Sequence, residues 1–314
     1  DDRIAEGITM TGQLVIRDTA KALDNYVNKV CGTEDKIYSF YSDTDSCYVT
    51  LKDMVENFFP DKGKEKTIDL IDKIATEKIE PAIEQAMTKL ANYTNAFAHK
   101  LVFKREIIAD KGVFVAKKRY ALNVHDDEGL RLKEPKLKVM GLEIVRSSTP
   151  GPIRDSLKEA VRLILTSDED TLHSFIENTR KEFNDKAVEE IAFPRGCNNM
   201  FKYKSGADIY TKGCPIHVRG GLLYNYYVDK LNLKMKYEKI QEGDKIKFVY
   251  LKEPNVIGEN TIAFVGKLPT EFELEKYVDY DTIWQKAFVD PLDNILKPIG
   301  WHTEPQATLE DLFG

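Results

Sequence analysis

Polar and apolar positions along the chain follow two different rhythms. Over 8–30, Ile8, Leu14, Val15, Ala22, Leu23, Tyr26, Val27 and Val30 recur near helical spacing, which predicts a helix closed by Gly32 as C-cap. Two short runs rich in aromatic and β-branched residues follow, 37–41 and 47–51. Both read as strands, and the small polar residues between them read as a turn, so the pair predicts a β-hairpin. A polar loop with Pro60 and Gly63 is expected over 57–66. The helical rhythm returns at 68–97 in Ile68, Ile71, Ile74, Ile79, Ile83, Met87, Leu90, Tyr93 and Phe97. Pro81 lies inside this stripe and predicts a break or kink near Glu80, hence two helical pieces. The runs 101–108, 113–124 and 137–142 read as strands, with a turn at 125–129. Strands backed by helices predict an α+β layer.

Beyond Ser147-Ser148-Thr149-Pro150-Gly151-Pro152 the pattern changes. Pro152 suits the first turn of a helix over 153–165, and a second helix is expected over 168–183. From 193 to 265 the chain is aromatic and punctuated by glycine, which predicts short strands and loops; a last helix is expected at 282–288. The expected domains are 1–146, 147–303 and a tail at 304–314.

A length of 314 residues suits about two domains, and a 42% hydrophobic content supplies ample core material. No apolar run approaches the ~20 residues of a membrane span, so no membrane partner is expected. No signal-peptide pattern opens the chain. It begins without a methionine, which leaves processing, a gene split and a fragment all open. Cys31, Cys47, Cys197 and Cys214 form no Cys-x-x-Cys pair and read as reduced thiols of a cytosolic protein. A net charge of −6 argues against indiscriminate nucleic-acid binding but leaves room for a local basic track. Such a track exists: 101–146 holds eleven Lys/Arg against seven Asp/Glu.

Chemistry concentrates at Tyr41-Ser42-Asp43-Thr44-Asp45-Ser46. Residues two apart on an extended backbone share a face, so Asp43 and Asp45 are expected side by side. Two adjacent carboxylates repel unless a cation lies between them, and Mg²⁺ accepts one or two carboxylates together with substrate phosphates. The plainer reading is a turn whose aspartates cap their own backbone. The hexapeptide resembles the Tyr-Gly-Asp-Thr-Asp-Ser signature of the family B DNA polymerase palm, with Ser42 in place of the usual glycine.

Lys117-Lys118-Arg119-Tyr120 is the second constellation. Strand alternation would place Lys117 and Arg119 on one face and Lys118 and Tyr120 on the other. Taken alone it reads as a solvated strand edge. It resembles the Lys-Lys-x-Tyr motif with which family B polymerases hold the primer–template duplex. A lysine donor suits that task, because every base pair offers minor-groove acceptors.

The resemblance continues through 117–150 and through Cys214-Pro215-Ile216-His217-Val218-Arg219-Gly220, in the order found in replicative polymerases of T-even-type phages. It implies a palm-like antiparallel sheet backed by helices, then a mixed α/β thumb. It implies nucleotidyl transfer to a primer 3′-hydroxyl with two Mg²⁺ ions, in an infected bacterial cytoplasm. Asp45 would be the principal metal ligand, Asp43 a weaker one, and Glu106 a support for the site. Lys117, Lys118, Arg119, Tyr120, Lys136, Lys138 and Arg219 would contact DNA. The Asp-x-x-Ser-Leu-Tyr-Pro-Ser motif, the Lys-x-x-x-Asn-Ser-x-Tyr-Gly fingers motif and the exonuclease acids do not occur in the 314 residues. Incoming dNTP and an N-terminal polymerase portion or subunit are therefore expected partners. The alternative is a non-catalytic DNA-binding and clamp-tethering module. At the end of the chain, Leu309, Leu312 and Phe313 are spaced as one face of a helical turn, or belong to a frayed tail. With Gln306 they resemble a sliding-clamp-binding peptide.

Overall fold

The computed structural model describes residues 2–206 and 208–305. It is an α+β fold with small antiparallel sheets. The expected tail residues Gln306, Leu309, Leu312 and Phe313 lie outside the described residues.

Helix α1 spans Asp2–Cys31, longer than the sequence rhythm predicts, because residues 2–14 are helical yet wholly exposed. Its end follows the glycine signal. Gly32 adopts φ 67°, and the Thr33 amide donates to the Asn28 carbonyl at 3.0 Å, which closes the last turn. Strands β1 (Ser39–Asp43) and β2 (Ser46–Val49) form the expected hairpin. Helix α2 (Lys52–Phe58) follows, over residues for which no element is expected, and its last two residues overlap the start of the loop expected at 57–66. Helices α3 (Lys64–Ile74) and α4 (Glu80–Tyr93) are not separated by the break expected at Pro81. A π-helical turn, Ala75–Ile79, joins them, and Pro81 sits in the first turn of α4. The Glu80 amide donates five residues back, to the Ala75 carbonyl, so the helical path runs on into α4 with Pro81 near its start. The helix ends at Tyr93, which leaves Tyr93 and Phe97 exposed off the core stripe.

Strands β3 (Ile107–Ala116), β4 (Arg119–Asp127) and β5 (Leu130–Met140) form a sheet in that order. The expected strand 113–124 is thus two strands with a turn at Lys117-Lys118, and most of 101–108 is irregular. The chain separates into two compact units, Asp1–Gly112 with Leu122–Lys138, and Val113–Ala121 with Val139–Gly314.

In the first unit, α1 packs on α4, and Val15 and Leu23 of α1, Ile79 of the π turn and Ile83 and Met87 of α4 form one buried cluster. Val27, Tyr38 and Met54 form a second cluster beneath the hairpin. Arg105 and Arg131 clamp the buried Asp126 carboxylate, which also accepts from the Gly129 amide at 3.0 Å.

In the second unit, helices α5 (Gly151–Thr166) and α6 (Glu169–Asn184) match expectation. Pro152 is in the first turn of α5, and Asp168 caps α6 by accepting the Thr171 amide at 2.9 Å. Short helices α7 (Val188–Ile191) and α8 (Met200–Tyr203) flank β6 (Phe193–Gly196). Helix α9 (Ile216–Lys230) runs through the stretch read as strands and loops. It packs on the sheet β6–β7–β8, where β7 is Lys245–Tyr250 and β8 is Thr261–Phe264. A Cβ on Gly220 would lie 2.8 Å from the Ala263 amide nitrogen, so only glycine allows this close approach. The expected helix at 282–288 is part of a longer helical path through α10 (Tyr280–Trp284) and α11 (Asp290–Leu296).

Candidate functional site

The acidic tip stands on a footing laid by α1. Asp24 and Asn28 lie one helical turn apart. The Asp24 carboxylate accepts the Tyr38 amide at 2.9 Å, the Ser39 amide at 2.7 Å and the Ser39 hydroxyl at 2.9 Å. Asn28 brackets Lys36, donating to its carbonyl at 2.8 Å and accepting from its amide at 3.1 Å. Tyr38 is fully buried, and its hydroxyl donates to Asp53 at 2.8 Å. The entry to β1 is therefore fixed on both sides. The pairing then slips between Ser39 and Tyr41, so a bulge precedes the tip. Beyond it Tyr41 faces Tyr48, rings 5.2 Å apart, and Asp43 pairs with Ser46.

Only Thr44 and Asp45 form the loop. Thr44 takes φ 55°, and the Asp45 amide donates to the Asp43 carbonyl at 2.7 Å. The extended-strand alternation expected to put both aspartates on one face does not extend through this turn. The Thr44 hydroxyl donates to the Asp43 carboxylate at 3.1 Å, and the Ser46 hydroxyl to the Asp43 carbonyl at 3.1 Å. The left-handed residue is Thr44; Ser42 is an ordinary strand residue paired with Cys47, so serine fits there without strain. Asp43 is half-buried and Asp45 exposed. The Asp45 carboxylate makes no hydrogen bond or ion pair with the described residues. Two oxygen donors at such a tip fit part of a Mg²⁺ shell, whose remaining positions fall to water and phosphate. Glu106 is exposed, and among the described residues no three acids, histidines or cysteines assemble as a metal-holding group.

The basic motif forms the tip of the next hairpin. Lys117 and Lys118 are exposed turn residues, with Lys118 at φ 59°, so the strand alternation expected of them does not apply. Arg119 donates both hydrogen bonds of its Nη2 to Glu143, at 2.9 and 2.8 Å. Tyr120 is buried and stacks on Phe114, ring centroids 5.1 Å apart. Of the four expected contact residues, two point into protein contacts. Lys136 is exposed and Lys138 half-buried on β5. Arg219, on α9, donates to Asn260 and lies over the Tyr210 ring, centroid distance 5.6 Å, while Tyr210 donates to Glu259 at 2.7 Å.

The sequence reading passed over Asp24, Asn28 and Glu143. Asp24 and Asn28 do carry a signal, an i, i+4 polar pair on a helix just before a strand. Glu143 carries none, since its partner is fixed by the fold.

The model of the divergent family B DNA polymerases matches residues 36–175, which include both tips. The DNA-directed DNA polymerase of Enterobacteria phage T4 is 35% identical over 328 residues, covering 100% of this chain and 36% of that protein. The chain is related to the family B DNA polymerases. The DNA-directed DNA polymerase of Escherichia phage RB69 is likewise 35% identical over 327 residues, with the same coverage. The chain thus spans about a third of the length of these relatives and aligns with their C-terminal part. No helix among the described residues is long and apolar enough to cross a membrane.

Proposed function

We propose that this chain is the late palm and thumb of a DNA-directed DNA polymerase of the infected bacterial cytoplasm. Whole-length similarity to phage polymerases supports the reading. The observation that carries it is the Asp43-Thr44-Asp45 tip, pinned at its base by Asp24 and open at Asp45. When bound there, Mg²⁺ would lower the cost of charge on the attacking and leaving oxygens. The chain's own part is to hold two carboxylates at a fixed turn, Asp45 toward solvent and Asp43 tethered by Thr44, with Glu106 as outer support. Lys117 and Lys118, with Lys136, would hold the primer–template duplex. Lys138 and Arg219 are weaker contacts by their burial, and Arg119 and Tyr120 act from inside the protein.

Incoming dNTP would be bound chiefly by fingers that these residues do not include, and the remaining metal ligand would come from the same missing portion. The purified chain with Mg²⁺ should therefore not extend a primer. Joined to, or mixed with, a polypeptide carrying exonuclease, fingers and early palm, it should. In that assembly Asp45→Asn abolishes extension and leaves DNA binding intact, while Asp43→Asn is milder. Extension by Asp45→Asn at the parent rate overturns the assignment. If both aspartate variants and parent bind DNA yet none extends in the full assembly, the chain is the non-catalytic tether instead. The tail 306–314 would bind a sliding clamp, so its deletion should remove clamp-stimulated product length and spare distributive synthesis.

A further inference from the structure

The Lys117-Lys118 turn is held from outside by the segment that follows β5. Gly141 takes φ 64°, and a Cβ there would stand 2.1 Å from the Lys118 carbonyl oxygen and 3.2 Å from Arg119 Cγ. Backbone therefore lies on backbone at this point, which no side chain permits. Two residues on, Glu143 takes both Nη2 hydrogen bonds of Arg119 and also pairs with Arg146 at 3.4 Å. Leu142 and Ile144, either side of Glu143, are fully buried. The short helical turn Glu143–Val145 packs on α5, and the Thr149 hydroxyl donates to the Glu143 carbonyl at 3.2 Å. The latch is thus rooted in the helix that follows it.

We propose that Gly141 and Glu143 are positioning residues for the duplex grip, latching the turn that carries Lys117 and Lys118. Arg119 is the grip's handle inside the protein and makes no DNA contact of its own. The physical need is clear from the hairpin. A two-lysine tip with a left-handed non-glycine residue has many alternatives, and charge repulsion between the lysines favours them. An arginine beside the tip, held by a carboxylate on a buried segment, leaves one arrangement. Cations fixed in advance lose less entropy on meeting a phosphate backbone. The inference rests on the reading of Lys117 and Lys118 as duplex contacts.

Binding of the full chain to a fluorescent primer–template, measured from about 50 to about 200 mM salt, tests both levels. Each cationic contact contributes about 0.9 to the salt slope, so Lys117→Ala/Lys118→Ala should lower it by about 1.8, a difference of roughly twelvefold in affinity across that range. Glu143→Gln keeps size and loses the ion pair; it should remove more than half of the same slope. Gly141→Ala should do likewise. Restoration by the swap Arg119→Glu/Glu143→Arg would exclude a direct DNA contact by Arg119, and a swap that folds but fails to restore the slope overturns the handle. A merely structural role would lower the unfolding midpoint without changing the slope. If Glu143→Gln changes the slope by less than about 0.5 while the double lysine variant lowers it fully, the latch is wrong and the grip stands. If the double lysine variant itself leaves the slope unchanged, the grip reading fails and takes the latch with it.

Discussion

Asp24→Ala is the sharpest test of how the acidic tip is held. The substitution removes three hydrogen bonds from one carboxylate, two of them from consecutive amides at the entry to β1. A hydrogen bond to a charged group contributes about 1.5–3 kcal/mol when water is excluded. Asp24 is half-buried and its three donors share one group, so water recovers much of that. A local loss of about 2–3 kcal/mol remains, which corresponds to roughly 30- to 150-fold faster opening. Amide hydrogen exchange at Tyr38 and Ser39 reads this directly, because both amides donate to the Asp24 carboxylate. Asp24→Asn keeps an acceptor oxygen and loses only the charge, so its effect should be nearer 1 kcal/mol, or about fivefold. Amides at Val27 and Leu23, inside α1, should be unchanged in both variants. If Asp24→Ala leaves the exchange of Tyr38 and Ser39 within twofold of the parent, the footing lies elsewhere and Asp24 is an ordinary surface acid.

Gly220→Ala should destabilise the chain by about 1–3 kcal/mol in urea unfolding, because its Cβ meets the backbone of β8, whereas Gly12→Ala, with nothing within 4 Å, should stabilise by up to about 1 kcal/mol. Burial pushes the Cys197 thiol up to about 12, so a thiol reagent at pH 8 should label it only on unfolding; labelling as fast as the half-buried Cys31 would refute this. Acid should act in two steps. Burial, aided by the Arg195 charge, lowers the His217 pKa below 6.5, so the unfolded chain binds its proton first and stability falls as pH drops below 6.5. Burial raises the Asp110 and Asp126 carboxyls, but their hydrogen-bonding and cationic partners outweigh it and hold both below 3.8; their contribution, present above that pH, is lost as pH falls through the folded values. His217→Gln should remove the upper step from a plot of unfolding midpoint against pH and leave the lower one.

Legibility followed the range of the interactions. The hairpin at Asp43 and Asp45, helices α5 and α6 and the Gly32 cap are readable, because spacing, small polar turn residues and a glycine stop act within a few positions. Helix α9 is not, since Gly220-Gly221 reads as a breaker in sequence. Its reason is the neighbouring strand β8 and, for Gly221, the Cys197 sulfur 2.9 Å from where a Cβ would stand. Pro81 reads as a break because its missing amide is a local signal, whereas the π turn over the five residues before α4 leaves no mark in the sequence rhythm. At the basic motif, the residue types were legible and the geometry was not. Flanked by apolar residues on both sides, the four read as the middle of one strand, and only the pairing partner reveals the turn at Lys117-Lys118. The bonding of Arg119 to Glu143 depends on a contact 24 positions away, so the sequence offers Arg119 as a DNA contact and carries no sign of its bond to Glu143.

The two tips share one construction. Each is a short hairpin loop with a non-glycine residue in the left-handed region, Thr44 at φ 55° and Lys118 at φ 59°. That conformation costs an L-residue about 1–2 kcal/mol, and glycine would remove the cost. Each tip is also held by a carboxylate from a different element, Asp24 at the base of one and Glu143 beside the other. The two features explain each other. A glycine tip would be free of strain and equally free to move, so the carboxylates or the lysines would sample many positions. A side chain at the tip narrows the choice, and an anchor outside the hairpin makes up the energy. Neither anchor touches the groups its tip is proposed to bind, yet each should govern how that tip is placed. A substitution at Asp24 should therefore behave like a weak form of one at Asp45, and a substitution at Glu143 should cost at least as much grip as the loss of one of the two lysines, while one at an exposed acid of similar charge, such as Glu6, should do neither.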